Sequence, residues 1–138
     1  MKKIVVLFIF CFSWGLSYGA TVHDNMKIYY IPFETETYVA VTTDNIKLQA
    51  HHKVVVSSIQ DVNSLNRIFS NRTAIADAAP FDFKRVRLLI SSSEKHDIFI
   101  DSYGNILSNG KQEKISKKKF NELNSRLSYL IKIRFNEK

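Results

Sequence analysis

Three consecutive lysines, Lys117, Lys118 and Lys119, open a helical pattern near the C-terminus, with Lys111 and Lys114 just before them. The first turn of a helix carries unpaired backbone N–H groups and the positive end of the helix dipole, so it attracts anions. Exposed cations there cost about 0.3–1 kcal/mol each, so the run works against its own helix. A docking surface for an acidic protein or an anionic polymer would give the run a purpose. The plainer reading is exposed lysines tolerated at small cost. A second basic group, Lys84, Arg85 and Arg87, opens a strand pattern. Alternation puts Arg85 and Arg87 on one face and Lys84 on the other, where they extend a basic stripe or decorate an ordinary polar face.

The remaining candidates are weaker. His51 and His52 are adjacent, and in an extended segment they point to opposite sides, so a shared metal is not expected. Asp97 and Asp101 lack both the repeated oxygen spacing and the closing glutamate of a calcium loop, and Asp101 reads as a turn residue bonding its own backbone. Glu34, Glu36, His51, Ser57 and Asp61 assemble on paper into many triads, none in a recognisable catalytic context. Tyr29, Tyr30, Phe33 and Tyr38 are either a binding edge or half-buried strand residues. No catalytic residue, metal ligand or cofactor is assigned.

These side chains need elements to hold them. Residues 26–31 and 38–41 read as strands, with Pro32 ending the first. A short helix capped by Thr43 or Asp44, or a loop, leads to the Val54-Val55-Val56 strand. Asp61 is placed as the N-cap of a helix over 62–69 with Val62, Leu65 and Phe69 on one face. Residues 71–82 read as a connection. An antiparallel meander then runs through 86–90, 97–101, 106–107 and 112–115, with Asn109-Gly110 as its hairpin turn. Ser116 caps a final helix whose Phe120, Leu123, Leu127, Leu130 and Ile131 make one apolar stripe. The expected fold is α+β: an antiparallel sheet of about five strands with the long C-terminal helix and a shorter helix on one face.

At the other end, Lys2 and Lys3 precede an apolar run over 4–12, and Ser17-Tyr18-Gly19-Ala20 follows. A basic start, a short greasy core and small residues at a cut site are the marks of an export signal, giving residues 1–19 as signal peptide and 20–138 as one extracytoplasmic domain. The core is short against the ~20 residues of a spanning helix, so a membrane link is expected only if the signal stays uncleaved. Cys11, the single cysteine, falls inside the signal and follows bulky Phe10, which argues against lipidation there. A cysteine-free domain excludes disulfides and thiol chemistry and leans towards a bacterial periplasm. Asn71-Arg72-Thr73 fits a glycosylation triplet but is treated as incidental.

The net charge is +7, unevenly spread. Residues 21–83 hold 5 basic and 7 acidic side chains, whereas residues 84–138 hold 13 basic and 6 acidic. Such asymmetry points to an acidic protein, an anionic polymer or a membrane face, and nucleic acid is not an expected partner outside the cytoplasm. The expectation is therefore a periplasmic binding protein of the immunity or inhibitor class. It would neutralise a toxin or envelope hydrolase stoichiometrically through Lys111, Lys114, Lys117, Lys118, Lys119, Arg85 and Arg87. The alternatives are an accessory protein binding anionic polymer or lipid headgroups, and a small hydrolase.

Overall fold

A computed structural model describes residues 25–74, 80–93 and 95–136. The expected export signal and cut site lie outside these residues. The strands are β1 (Met26–Tyr30), β2 (His52–Val56), β3 (Thr73–Ala74), β4 (Val86–Ser91), β5 (Ile98–Asp101), β6 (Asn105–Ser108) and β7 (Lys111–Lys114). The helices are α1 (Ile46–Gln49), α2 (Ile59–Phe69) and α3 (Lys117–Asn136). The fold is α+β, and the strands form one antiparallel sheet in the order β2-β1-β4-β5-β6-β7-β3. Seven strands replace the expected five or so. Among the differences, β3 carries no apolar signal because both its residues are exposed.

Central strand β4 is buried at five successive positions, Val86 to Ile90, which is what a strand covered on both faces requires. On one face α2 and α3 cover the sheet, and Leu65, Ile68, Leu123 and Leu127 meet Ile28, Leu88, Ile100 and Ile106 in the larger core. Fully burying each such side chain stabilises by about 1.5–3 kcal/mol. On the other face Ile31, Val41, Ile46, Phe81, Val86 and Leu89 form a second core beneath α1. The sheet is thus covered on two sides, where the sequence suggested one.

Helix α3 begins as its sequence dictates. Ser116 Oγ accepts from the Lys119 amide at 3.3 Å, and the Ser116 carbonyl accepts from Phe120 N at 2.9 Å. Helix α2 starts earlier than expected, with Ser58 at the N-cap position. Asp61 lies in its first turn and pairs with Arg126 of α3 at 3.0 Å. The Asn109-Gly110 turn has φ of 49° and 72°, the left-handed pair that a two-residue hairpin of this hand needs.

Two local features shape the site. The 38–41 segment is not a strand: Tyr38 and Val39 are exposed, and only Val41 bridges, in parallel, to Arg85. Strand β4 also carries an extra residue between Val86 and Leu88 relative to β5. This bulge shifts the alternation, so Val86 and Leu89 share one core and Leu88 and Ile90 the other.

Candidate functional site

Residues 32–40 leave and rejoin the sheet at the same place. At the entry Ile31 N donates to the Arg87 carbonyl at 2.8 Å. At the exit Val41 N donates to the Lys84 carbonyl at 3.2 Å, and Val86 N donates to the Val41 carbonyl at 2.9 Å. The ends of the excursion are therefore held one bulge apart on β4, the arrangement of an Ω-loop. Within it Thr35 N donates to the Pro32 carbonyl at 2.9 Å, and Asn45 closes the far side by accepting from Thr42 N and donating to the Ala40 carbonyl. A loop pinned this way presents its tip with little ordering cost on binding. That tip is Tyr38, fully exposed, and Val39, 60% exposed.

Between the loop and the sheet lies a cleft of about 560 Å³. One wall carries Lys84, Arg85, Arg87, Ser102 and Tyr103, and the other carries Glu34, Glu36 and Val39. Tyr103, 60% exposed, accepts a 2.9 Å hydrogen bond from Arg85 Nη1, and the Arg85 guanidinium lies 5.8 Å from its ring centre. Asp82 Oδ2 is 3.9 Å from Arg85 Nε across a solvent-exposed gap, a weak pair. Half-exposed Phe83 precedes Lys84 and packs edge-on against Phe81 at 5.1 Å.

Arg87 departs from the expected surface stripe. It is only 5% exposed, because the bulge turns it under the loop, where Nη2 donates to the Thr35 carbonyl at 3.1 Å and Nη1 to the Val86 carbonyl at 3.2 Å. Burial lowers its pKa from the ordinary arginine value, neighbouring Arg85 lowers it further, and Asp82 partly offsets both. Arginine starts so high that the side chain stays a cation at neutral pH.

The cleft floor rests on Asp101, which is wholly buried. Its carboxylate accepts from Asp82 N, Tyr103 N, Asn105 N and Asn105 Nδ2, each at 2.9 Å. This joins the residues before β4 to the β5–β6 turn. Asp101 is thus a brace of backbone donors, the turn chemistry its sequence context implies.

The lysines divide. Lys117 and Lys118 are exposed, while Lys119 is half-buried and pairs with Glu122 at 3.2 Å. Phe120, in the same turn, packs on Phe33 of the loop at 4.7 Å and against Gly104, so the start of α3 abuts the cleft. Lys114 lies opposite Asn105, at this end of the sheet, whereas Lys111 lies opposite Ser108 at the far end of β7. Three residues of strand separate them by about 10 Å, so they do not enlarge one patch.

The aromatic cluster splits as well. Tyr30 is buried, contacts Phe33 at 5.6 Å and donates its hydroxyl to Asn124 Oδ1 at 3.0 Å, while Tyr38 stands free at the loop tip. His52 stacks on Tyr30 at 6.2 Å, and His51 is exposed beside Gln49. Of the paper triads, Glu34 and Glu36 sit on the loop, Asp61 pairs with Arg126 and Ser57 follows β2. Glu36 and His51 line one depression and Ser57 and Asp61 another, so they meet in pairs and no triad of them shares a pocket. Among the described residues, no three His, Cys, Asp or Glu side chains gather where they could hold a metal ion, and no helix is long and apolar enough to cross a membrane.

The sequence drew attention to the lysine run and missed the loop. The only signal for the loop was Pro32 followed by Glu34-Thr35-Glu36-Thr37, a polar stretch before an aromatic-aliphatic pair. No protein-family model, curated protein or solved structure matches the chain.

Proposed function

We propose that this chain is an exported binding domain of the immunity or inhibitor type, holding an acidic protein partner through the 32–40 loop and the basic wall of the cleft. The observation that carries this reading is a loop tied to β4 at both ends whose tip exposes Tyr38 fully and Val39 largely, with Val39 lining the same cleft as Arg85 and Tyr103. Exposing two apolar side chains at a rigid tip is unfavourable for an isolated domain, and tyrosine and arginine are the residue types that dominate binding hot spots. The net positive second half of the chain would speed encounter with an acidic partner.

The test is capture from the producer's own envelope extract and culture supernatant by the exported chain, tagged at its C-terminus, with captured proteins identified by mass spectrometry. One protein near one-to-one is expected. Its retention should drop about 30-fold for Tyr38→Ala, the ~2 kcal/mol of a hot-spot tyrosine, and further when Arg85→Glu is added. A second reading, binding of anionic polymer or lipid headgroups, is favoured by exposed Lys117 and Lys118 beside the α3 N-terminus. It predicts diffuse capture that washes off in modest salt, is lost when Lys117, Lys118 and Lys119 become Glu, and ignores Tyr38→Ala. That pattern would displace the inhibitor reading.

A further inference from the structure

Arg87 is a cation buried in the cleft wall whose hydrogen bonds run only to neutral carbonyl oxygens, those of Val86 and Thr35. A guanidinium has more donors than these two acceptors use, and Arg87 Nε has no partner. The ion pairs of the described residues do not include it. Ser102 Oγ, lining the same cleft, is likewise buried without a partner. Arg85 and Lys84 line the cleft with Arg87, and the like charge of Arg85 is only partly offset by Asp82. A buried charge with no ion pair of its own is costly even with Asp82 near enough to offset part of that cost, and polar atoms left unpaired add to it. An anion entering the cleft would relieve both.

The lining also limits which anion. Lys84, Arg85 and Arg87 stand against Glu34 and Glu36 on the loop and Asp82 beside Arg85, so the cleft has no large excess of positive charge. A single negative charge on the unpaired donors is the most that such a lining accommodates. A phosphate dianion would overshoot and face both glutamates. The walls favour a carboxylate carried on a chain, because Val39 and Tyr103 flank the basic side chains with apolar surface.

We propose that the cleft is a receptor for one carboxylate side chain, an aspartate or glutamate presented by a protein segment. Arg85 and Lys84 draw it in at the rim, and Arg87 and Ser102 receive it at the base as the 33–37 segment eases outward. The identity of that segment as part of an acidic protein partner rests on the function proposed above, but the carboxylate site itself can be tested without any partner.

The protein, produced with its own N-terminal segment and labelled with ¹⁵N, would be titrated with an acetylated and amidated Gly-Glu-Gly peptide, with its Gly-Gln-Gly counterpart and with inorganic phosphate. The expected result is saturable shifts of the Arg87 Nε–H, Ser102 and Tyr103 signals by the glutamate peptide, with a Kd of order 1 mM. The glutamine peptide should give none, and phosphate should bind at least ten-fold more weakly. Arg85→Gln and Ser102→Ala, at rim and base, should each weaken glutamate binding several-fold without altering the rest of the spectrum. Unsaturated shifts, equal response to the glutamine peptide, or phosphate binding as tightly as carboxylate would overturn the proposal. A silent titration alongside a captured partner sensitive to Tyr38→Ala would remove the carboxylate receptor and leave the binding function standing. Saturable carboxylate binding with no partner captured would do the reverse.

Discussion

The side chain that holds the cleft in shape is one that reads in the sequence as a turn residue and not as a calcium ligand. Asp101 has both carboxylate oxygens committed to four protein N–H groups, three from backbone and one from the Asn105 side chain. Asp101→Ala leaves those donors unpaired in a buried place, at about 1–3 kcal/mol for each that cannot find water. The expected loss is at least ~3 kcal/mol in a denaturant melt, and Asp101→Asn should recover only part of it, because an amide supplies one acceptor oxygen in place of two. A melt unchanged by Asp101→Ala would mean the brace is ornamental. The role was legible in kind, since aspartate before Ser102-Tyr103-Gly104 is turn chemistry. Its reach to Asp82 was not, because that bond spans 19 residues and depends on how β4 and β5 pair. Arg87 was misplaced for a related reason: strict alternation put it beside Arg85 on a surface, and the bulge that buries it is invisible to a period-two pattern.

Among the elements, those with strong local signals formed as the sequence implied. Helix α3 has its serine cap and apolar stripe, and the Asn109-Gly110 hairpin has its turn. Elements whose existence depends on distant partners were missed or misread. Strand β3 exists only because Thr73 and Ala74 meet Lys114 and Glu113 of β7. Residues 38–41 have strand-like composition, yet they find one bridge, at Val41. The join between hairpin and helix can be probed at two glycines. Gly110 has φ of 72° and open space around it, so Gly110→Ala should cost about 1–2 kcal/mol of backbone strain alone. Gly104 has φ of 84°, and a Cβ there would lie 3.1 Å from a Phe120 ring carbon. Gly104→Ala should therefore destabilise more than Gly110→Ala in parallel melts, and it should shift the NMR signals of Phe33, which leans on Phe120. Equal costs would show that the β5–β6 turn and α3 are less tightly seated than the contact implies.

For the whole molecule, the charge asymmetry of the chain becomes a placement: the α3 N-terminus, Lys114 and the cleft's basic wall gather at one end, around Phe120 and the β5–β6 turn. Tyr30 ties the two layers across the larger core, and its pKa is raised, first by burial and then by the charge of Glu34, against a lowering by the Phe33 backbone. The folded state thus holds this proton more tightly than the unfolded chain does. Its contribution is fully present below pH ~10 and is lost as pH climbs from there through the folded value. Denaturant melts of the native protein should weaken above pH ~10, and Tyr30→Phe should flatten that decline while losing about 0.5–1.5 kcal/mol at neutral pH with the hydrogen bond to Asn124. An alkaline limb equally steep in Tyr30→Phe would assign the decline to other groups.

Strand β2 ends the sheet on one side. Its pairing with β1 turns the backbone groups of His52, Val54 and Val56 inward, so those of Lys53 and Val55 face out. Such a border is a template on which a stray chain can stack, and Val55 is itself 40% exposed. Arg134, from the last turns of α3, donates to the Val55 carbonyl at 2.7 Å. Any invading segment must first evict that guanidinium and then lie alongside the charge of Lys53. The same helix that completes the core therefore stands guard against fibrillar self-assembly.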